Sequence, residues 1–386
     1  MRKLFFDIQI TGHHTEYIGH LINYLSDNKD ADEYIFVVHP DFPAKFKTIY
    51  DKGNLITNFQ WVCVSYDQVH ECFSRSIIRS SFSLYKLMHY YGIQYKVNHV
   101  CLLYFNIFQL PSIFYRPSYT LSGILFLQFH RMNKNSLKDQ LKYYRKYITT
   151  KLYSFNPKIK RIFILNDQKT AVYLNNEFST DIFKMLPDPI AKLTPLDNFD
   201  IYEHYNSEKD RKVFLHIGSL GDRKGTFEVI DSATCISEEN QSKVFILVVG
   251  KAENDEIEQT IIDKVKYNTL NSNVQIVWDN QFVSNEMMKS LFDQSHAILL
   301  PYKNTEASSG ILGHAAAANK KVIATGKGLI REIIEENKLG ILLEEVSSSE
   351  IASKIDEVLS FQVLFTSENS FVEEHSPSKF AELVLH

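Results

Sequence analysis

The stretch PYKNTEASSGILGHAAAANKKVIAT, residues 301–325, holds the residue types best suited to chemistry. A polar loop carrying Glu306 runs into an alanine-rich helix expected to begin at about Ser308 or Ser309. Small residues at Ser308, Ser309 and Gly310 leave backbone N–H groups open at a helix N-terminus, where the dipole and unpaired donors favour a phosphate or diphosphate. The plainer reading of the same residues is a serine cap on a helix packed closely through its alanines. Upstream, VFLHIGSLGDRKGTFEVI reads as a strand, a glycine-rich turn and a helix start, with Ser219, Arg223 and Lys224 in the turn. Cations there can clamp a diphosphate. An exposed Arg-Lys pair is otherwise an ordinary solvated surface.

Histidines follow two other apolar runs: Gly12, His13 and His14 after the first, and His130 directly after LFLQF. Positions just past strand ends are where open α/β sheets bind ligands, and imidazole titrates near neutral pH. For each the alternative is a packed structural histidine. None has a carboxylate or cysteine cluster at ligand spacing, and the one Asp-x-Asp string, Asp30-Ala31-Asp32, precedes its strand, so no metal site is expected.

The elements that must position these residues are legible as two series of short apolar runs. Residues 4–10, 34–39, 59–65, 99–105, 123–129 and 161–165 alternate with helix-like stretches, which suggests one parallel sheet. A second series, 213–217, 244–250, 274–277, 297–301, 322–324 and 340–343, with amphipathic segments such as 286–294 between, predicts a second doubly wound α/β domain. The proline-broken, charged stretch LPDPIAKLTPLDNFDIYEHYNSEKDRK separates them and reads as a hinge. The predicted domains are 1–193, joined by a C-terminal helix within 371–386, and 194–370. SPSKFAELVLH supplies that helix, with Ser376 as cap, Pro377 in the first turn and Phe380, Leu383 and Val384 on one face.

At 386 residues, 44% hydrophobic and 23% charged, the chain has the length and composition for two folded cores. A net charge of -4 gives no reason to expect a nucleic-acid partner. Cys63, Cys72, Cys101 and Cys235 include no CxxC pair, which fits a reducing compartment. Asp7 interrupts the N-terminal apolar run, and no stretch approaches the roughly 18 apolar residues of a membrane span. The expectation is a cytoplasmic protein, soluble or peripheral on a membrane.

Residues 301–325 resemble the donor motif of GT-B fold retaining glycosyltransferases of the large family 4 type, also called glycosyl transferases group 1. That family carries two glutamates separated by seven residues; here Glu306 matches the first and His314 stands at the second. The resemblance implies that Glu306 contacts donor-sugar hydroxyls and that His314 meets the nucleotide ribose, although imidazole cannot reproduce a carboxylate's two-oxygen acceptance. It extends to the family's Gly-Arg-Leu…Lys-Gly element, with Ser219 where an arginine is common and Lys224 matching the lysine. It extends also to the glycine-glycine…Glu loop through Gly326, Gly328 and Glu332. By the same resemblance, the backbone near Phe282 and Val283 contacts the base, Gly12 and His13 face the donor phosphates, and His130 lies near the reacting sugar.

What the resemblance implies is a GT-B architecture of two facing Rossmann-like domains with a cleft between, and a metal-independent, hexosyl-type transfer with retention. The donor would be a UDP- or GDP-linked sugar, with no separate cofactor, and the product a bacterial cell-surface polysaccharide or glycolipid. His314 and Ser219 keep open a sugar-nucleotide-binding protein without turnover, and the fold keeps open an epimerase of nucleotide sugars. On the acceptor side, residues 131–161 concentrate Lys and Arg around Tyr143, Tyr144, Tyr147 and Tyr153, with Asp139 as the only acid. Such a helix suits an anionic membrane surface and a glycan or lipid-linked acceptor there, or is simply a solvated face.

Overall fold

Strands buried on both faces read as near-continuous apolar runs, and the fold is built from such strands. The computed structural model describes residues 1–73, 76–126, 128–303, 309–360 and 370–386. They form two units, Met1–Pro189 with Ser376–His386, and Ile190–His375. The division at 189/190 and 375/376 lies a few residues from the expected 193/194 and 370/371. Ile190 marks it: its N–H donates to the His375 carbonyl at 2.8 Å, and its side chain packs against Gly313.

The first unit holds a seven-stranded parallel sheet of order β3-β2-β1-β4-β5-β6-β7. Its strands are β1 (Arg2–Phe6), β2 (Glu33–Val38), β3 (Phe59–Cys63), β4 (His99–Leu102), β5 (Thr120–Leu125), β6 (Ile159–Leu165) and β7 (Phe183–Leu186). Six of these were expected from the apolar runs. The seventh, FKML, is a four-residue edge strand with an exposed Lys184, too short and too polar to stand out. Alternation sends Leu4 and Phe6 to one core and Phe5 to the other. The C-terminal helix Pro377–Leu385 is capped by Ser376, whose Oγ accepts from the Lys379 N–H, and buries Phe380, Ala381, Val384 and Leu385 in the core of Phe5 and Tyr17.

The second unit holds six parallel strands of order β10-β9-β8-β11-β12-β13. These are β8 (Lys212–Ile217), β9 (Val244–Val249), β10 (Gln275–Asp279), β11 (Ala297–Leu300), β12 (Lys321–Thr325) and β13 (Gly340–Leu343), matching the six expected runs. Every residue of β9, VFILVV, is buried. In both sheets the strand order reverses once, between β1 and β4 in the first and between β8 and β11 in the second. Loops leaving the carboxyl ends of such a pair diverge and open a crevice for ligand.

Candidate functional site

In the second unit the loops after β8 and β11 meet at that reversal. The β8 loop is pinned from beneath by His216, a buried strand residue that bonds in both directions. Its Nδ1 lies 3.0 Å from the Leu299 carbonyl of β11, and its Nε2 3.0 Å from Thr226 Oγ1, which accepts in turn from the Gly221 N–H at 3.1 Å. Burial, offset in part by the Leu299 carbonyl, pushes the imidazole down to about 4, so it stays neutral and acts as a brace. The loop is stapled from the sides as well. Leu220 N–H donates to the Lys251 carbonyl at 2.9 Å, and Lys303 N–H to the Arg223 carbonyl at 3.0 Å. Gly225 closes the turn at φ +71°, where a Cβ would lie 2.2 Å from the Pro301 carbonyl oxygen, so any side chain would separate the two loops.

What this scaffold presents is Lys224. Its Nζ stands 3.6 Å from the centroid of the Tyr302 ring, the second residue after β11. Burial, and then the neighbouring Arg223, push the ammonium down to about 8, with Glu253 opposing. A lysine in that condition is a desolvated cation short of negative charge, which an anionic ligand would restore. Arg223, half exposed, reaches Glu253 at 3.5 Å. Lys303 is occupied, at 2.5 Å from Asp222 and 2.7 Å from Glu228. Tyr302 is buried, its phenol pushed up to about 12, and its hydroxyl lies 3.2 Å from Ser309 Oγ.

Ser309 occupies the N-cap position of helix Gly310–Ala317, yet its side chain makes no capping bond and turns to Tyr302. The simple serine-cap reading does not describe it. Lys224, Arg223, Tyr302, Ser309 and Gly310 are thus gathered at one end of the sheet. Glu306 and Ser308 lie outside the described residues. Ser219 is exposed at the start of the β8 loop. His314, on helix Gly310–Ala317, is half-buried with its ring 6.2 Å from that of Phe292. After β10, Phe282 is 87% exposed whereas Val283 packs onto the core. Gly328 opens helix Gly328–Asn337 at φ +66°, and Glu332 lies in that helix.

In the first unit the loop after β1 carries Asp7 and ends at Gly12, the φ +64° residue preceding helix His13–Asp27. The side chain of His13 lies outside the described part of the chain. Its neighbour does the bonding: His14 Nδ1 is 2.6 Å from Asp7 Oδ2, and the His14 ring stands edge-on to Tyr104, 5.2 Å away, just past β4. Asp7 is buried and also accepts from the Gln9 N–H. This carboxylate–histidine pair at the β1/β4 reversal is absent from the sequence reading, although Asp7 at a strand end was its visible signal. His130 is stacked on Tyr173 at 3.9 Å. Beside it, Arg131 makes a two-pronged contact, at 2.6 and 2.8 Å, with Asp167, which caps helix Gln168–Phe178. Among the described residues, no group of three or more His, Cys, Asp or Glu side chains is placed to hold a metal ion.

Residues 197–374 match the family model of glycosyl transferases group 1. The chain carries a glycosyl transferases group 1 domain. It is therefore, in class, a glycosyltransferase. No curated protein matches the sequence. Among solved structures, WaaG, a glycosyltransferase involved in lipopolysaccharide biosynthesis, is similar at 13% identity and TM-score 0.66, covering 100% of this chain and 99% of its own. A glycosyltransferase from Rickettsia africae is similar at 16% identity and TM-score 0.62, with 100% and 93% covered. Anabaena Alr3699/HepE, solved in complex with UDP and glucose, is similar at 14% identity and TM-score 0.60, with 100% and 96% covered. At such identities the likeness is one of fold, and that fold is GT-B, with two Rossmann-like domains.

Proposed function

We propose that this glycosyltransferase moves a sugar from a UDP- or GDP-linked donor to an acceptor hydroxyl, with retention at the anomeric carbon and without a metal or separate cofactor. The observation that carries the reading is Lys224, a desolvated cation held over Tyr302 at the β8/β11 reversal of a group 1 domain. As the glycosidic bond breaks, negative charge leaves with the diphosphate. Lys224, Arg223 and the backbone amides at Ser308–Gly310 are the groups that would stabilise it, and donors fixed before the reaction stabilise developing charge without reorganising. The departing phosphate takes the acceptor's proton.

In this reading Glu306 holds donor-sugar hydroxyls, His314 meets the ribose, Ser219 adjoins the diphosphate, and the backbone at Phe282 and Val283 lines the base. From the first unit, Gly12 and His13 face the donor phosphates and His130 the reacting sugar. The similarity to Alr3699/HepE, solved with UDP and glucose, supports a UDP-linked hexose as the first donor to try. The similarity to WaaG supports a glycan or lipid-linked acceptor in bacterial cell-surface synthesis, met at the inner face of the cytoplasmic membrane.

A second reading, binding without turnover, is favoured by the packing of His314 near Phe292. One experiment separates the two. A thermal-shift panel of UDP- and GDP-sugars identifies the donor, and proton NMR of the product's anomeric signal reads stereochemistry. Glu306→Ala should keep nucleotide binding and lower turnover at least 100-fold. Binding of no sugar nucleotide by the wild-type chain would sink the proposal, and binding without any transfer would leave only the second reading.

A further inference from the structure

The helix Leu137–Ser154 has two apolar faces, and the domain core uses only one. Tyr143, Thr150, Tyr153 and Ser154 are buried on the inner side. Tyr147 is half-buried, its hydroxyl donating to Glu177 at 2.5 Å. Of the four tyrosines expected to mark a membrane-facing surface, only Tyr144 is exposed; the others are largely packing residues. The outward face carries instead Leu137 at 80% exposure, Leu141 at 73%, Tyr144 at 57%, Ile148 at 53% and Leu152 at 44%, followed by exposed Phe155. At about 100° per residue these five helical positions fall within about 80° of arc, a stripe opposite the buried side. A helix on the surface of a soluble domain ordinarily turns polar residues outward.

The stripe has an apolar neighbour and a charged border. Helix Pro111–Phe114 packs against helix Leu137–Ser154 and against helix Ile77–Gln94, and these two helices carry further exposed apolar residues, Phe114, Ile77 and Ile78. Contiguous exposed apolar surface on a monomer is commonly an interaction site. On the same helical wheel, exposed Lys138, Lys142 and Arg145 line one flank of the stripe and Lys151 the other. The single acid, Asp139, is engaged at the N-terminus, accepting from Ser136 Oγ at 2.6 Å while its own N–H donates back to that oxygen.

We infer that the stripe Leu137, Leu141, Tyr144, Ile148 and Leu152, with its cationic flanks, is a docking surface for an anionic lipid bilayer. An apolar strip bordered by cations matches the layering of acyl chain and anionic headgroup that an interfacial helix meets. A second copy of the chain fits less well, because a two-fold antiparallel contact through this stripe sets each cationic flank against its own copy. As the place where a lipid-linked acceptor is met, the surface rests on the proposed function; as a lipid-binding surface it is measured without turnover.

The test is sedimentation of the full chain with vesicles of phosphatidylcholine alone and of phosphatidylcholine and phosphatidylglycerol at 3:1. The wild-type protein should partition onto the anionic vesicles at least tenfold better than onto the neutral ones, and less well as salt is raised. Leu141→Gln with Ile148→Gln should lower that partition tenfold or more. Lys138→Gln, Lys142→Gln and Arg145→Gln together should lower it roughly 100-fold, at about fivefold per cation. All these side chains are exposed, so melting temperature and nucleotide-sugar thermal shift should match wild type, which separates failure of docking from failure of the donor reading. The inference falls if the wild-type chain stays in the supernatant with anionic vesicles, or if the Leu141/Ile148 variant pellets as wild type does. It falls equally if light scattering shows a wild-type dimer that this variant dissociates, since the face would then belong to a second copy.

Discussion

Replacing Lys224 by Met should make the protein more stable and worse at binding nucleotide. The folded chain holds this ammonium at about 8 against an ordinary 10.5, chiefly through burial. At 1.36 kcal/mol per pH unit, that fall corresponds to about 3 kcal/mol carried by the charged, folded lysine. The contact with the Tyr302 ring returns about 0.5–2 kcal/mol. The net gain on removing the charge is therefore about 1–3 kcal/mol at pH 7, or roughly 3–8 °C in the transition of a unit this size. The sign with pH follows from both values. Below about 8 the lysine is charged folded and unfolded, and the full cost is present; as pH climbs toward 10.5 the folded lysine is already neutral and the cost disappears. The stability gap between variant and wild type should accordingly be largest at pH 7 and close by pH 10.5. Binding of UDP should move the other way, with the variant losing a charge-assisted bond of about 1.5–3 kcal/mol, 10- to 150-fold in Kd. Wild-type affinity should itself decline as pH rises through 8, and the variant's should not. Differential scanning calorimetry at pH 7 and 9.5 and titration calorimetry with UDP measure both. A Lys224→Met protein less stable than wild type at pH 7, or one binding UDP within twofold of it, would refute the argument.

Three further outcomes follow from neighbouring geometry. Gly225→Ala puts a methyl into the Pro301 carbonyl at a left-handed turn, and should cost at least about 2 kcal/mol while abolishing the UDP thermal shift. Thr226→Val removes the hydroxyl shared by His216 and the Gly221 N–H. The His216 Nε2 and the Gly221 N–H are left buried without a partner, so a loss of about 1–3 kcal/mol by urea unfolding is expected, and wild-type stability would show that this brace does not hold the loop. His14→Ala tests where the acceptor's proton goes: with the departing phosphate as base, kcat should fall less than tenfold at unchanged UDP affinity. A loss of 100-fold or more would instead make the Asp7–His14 pair the general base and favour inversion at the anomeric carbon.

Much of this molecule was legible along the chain because its sheets are parallel and buried on both faces. Each strand is then a short unbroken apolar run, and each crossover helix a stretch of its own period. That is why all six strands of the second unit and the capped C-terminal helix could be read, and why the short, polar edge strand Phe183–Leu186 could not. The glycine-rich turn with Lys224 and the loop into helix Gly310–Ala317 were visible as separate motifs, because each is local.

What sequence by itself determined was therefore the fold class and the two segments proposed to form the donor site. Tertiary structure alone decided how they meet. Lys224 and Tyr302 are brought together by a reversal of strand order, a property of the whole sheet that no window of sequence contains. His216 looks from sequence like any polar interruption of a strand, and becomes a brace only because β11 and the helix start at Thr226 flank it. The basic helix makes the same point from the outside. Its composition announced lysines and tyrosines, but which face a side chain takes depends on where the core lies. The core claimed Tyr143 and Tyr153 and left the leucines and isoleucines facing out.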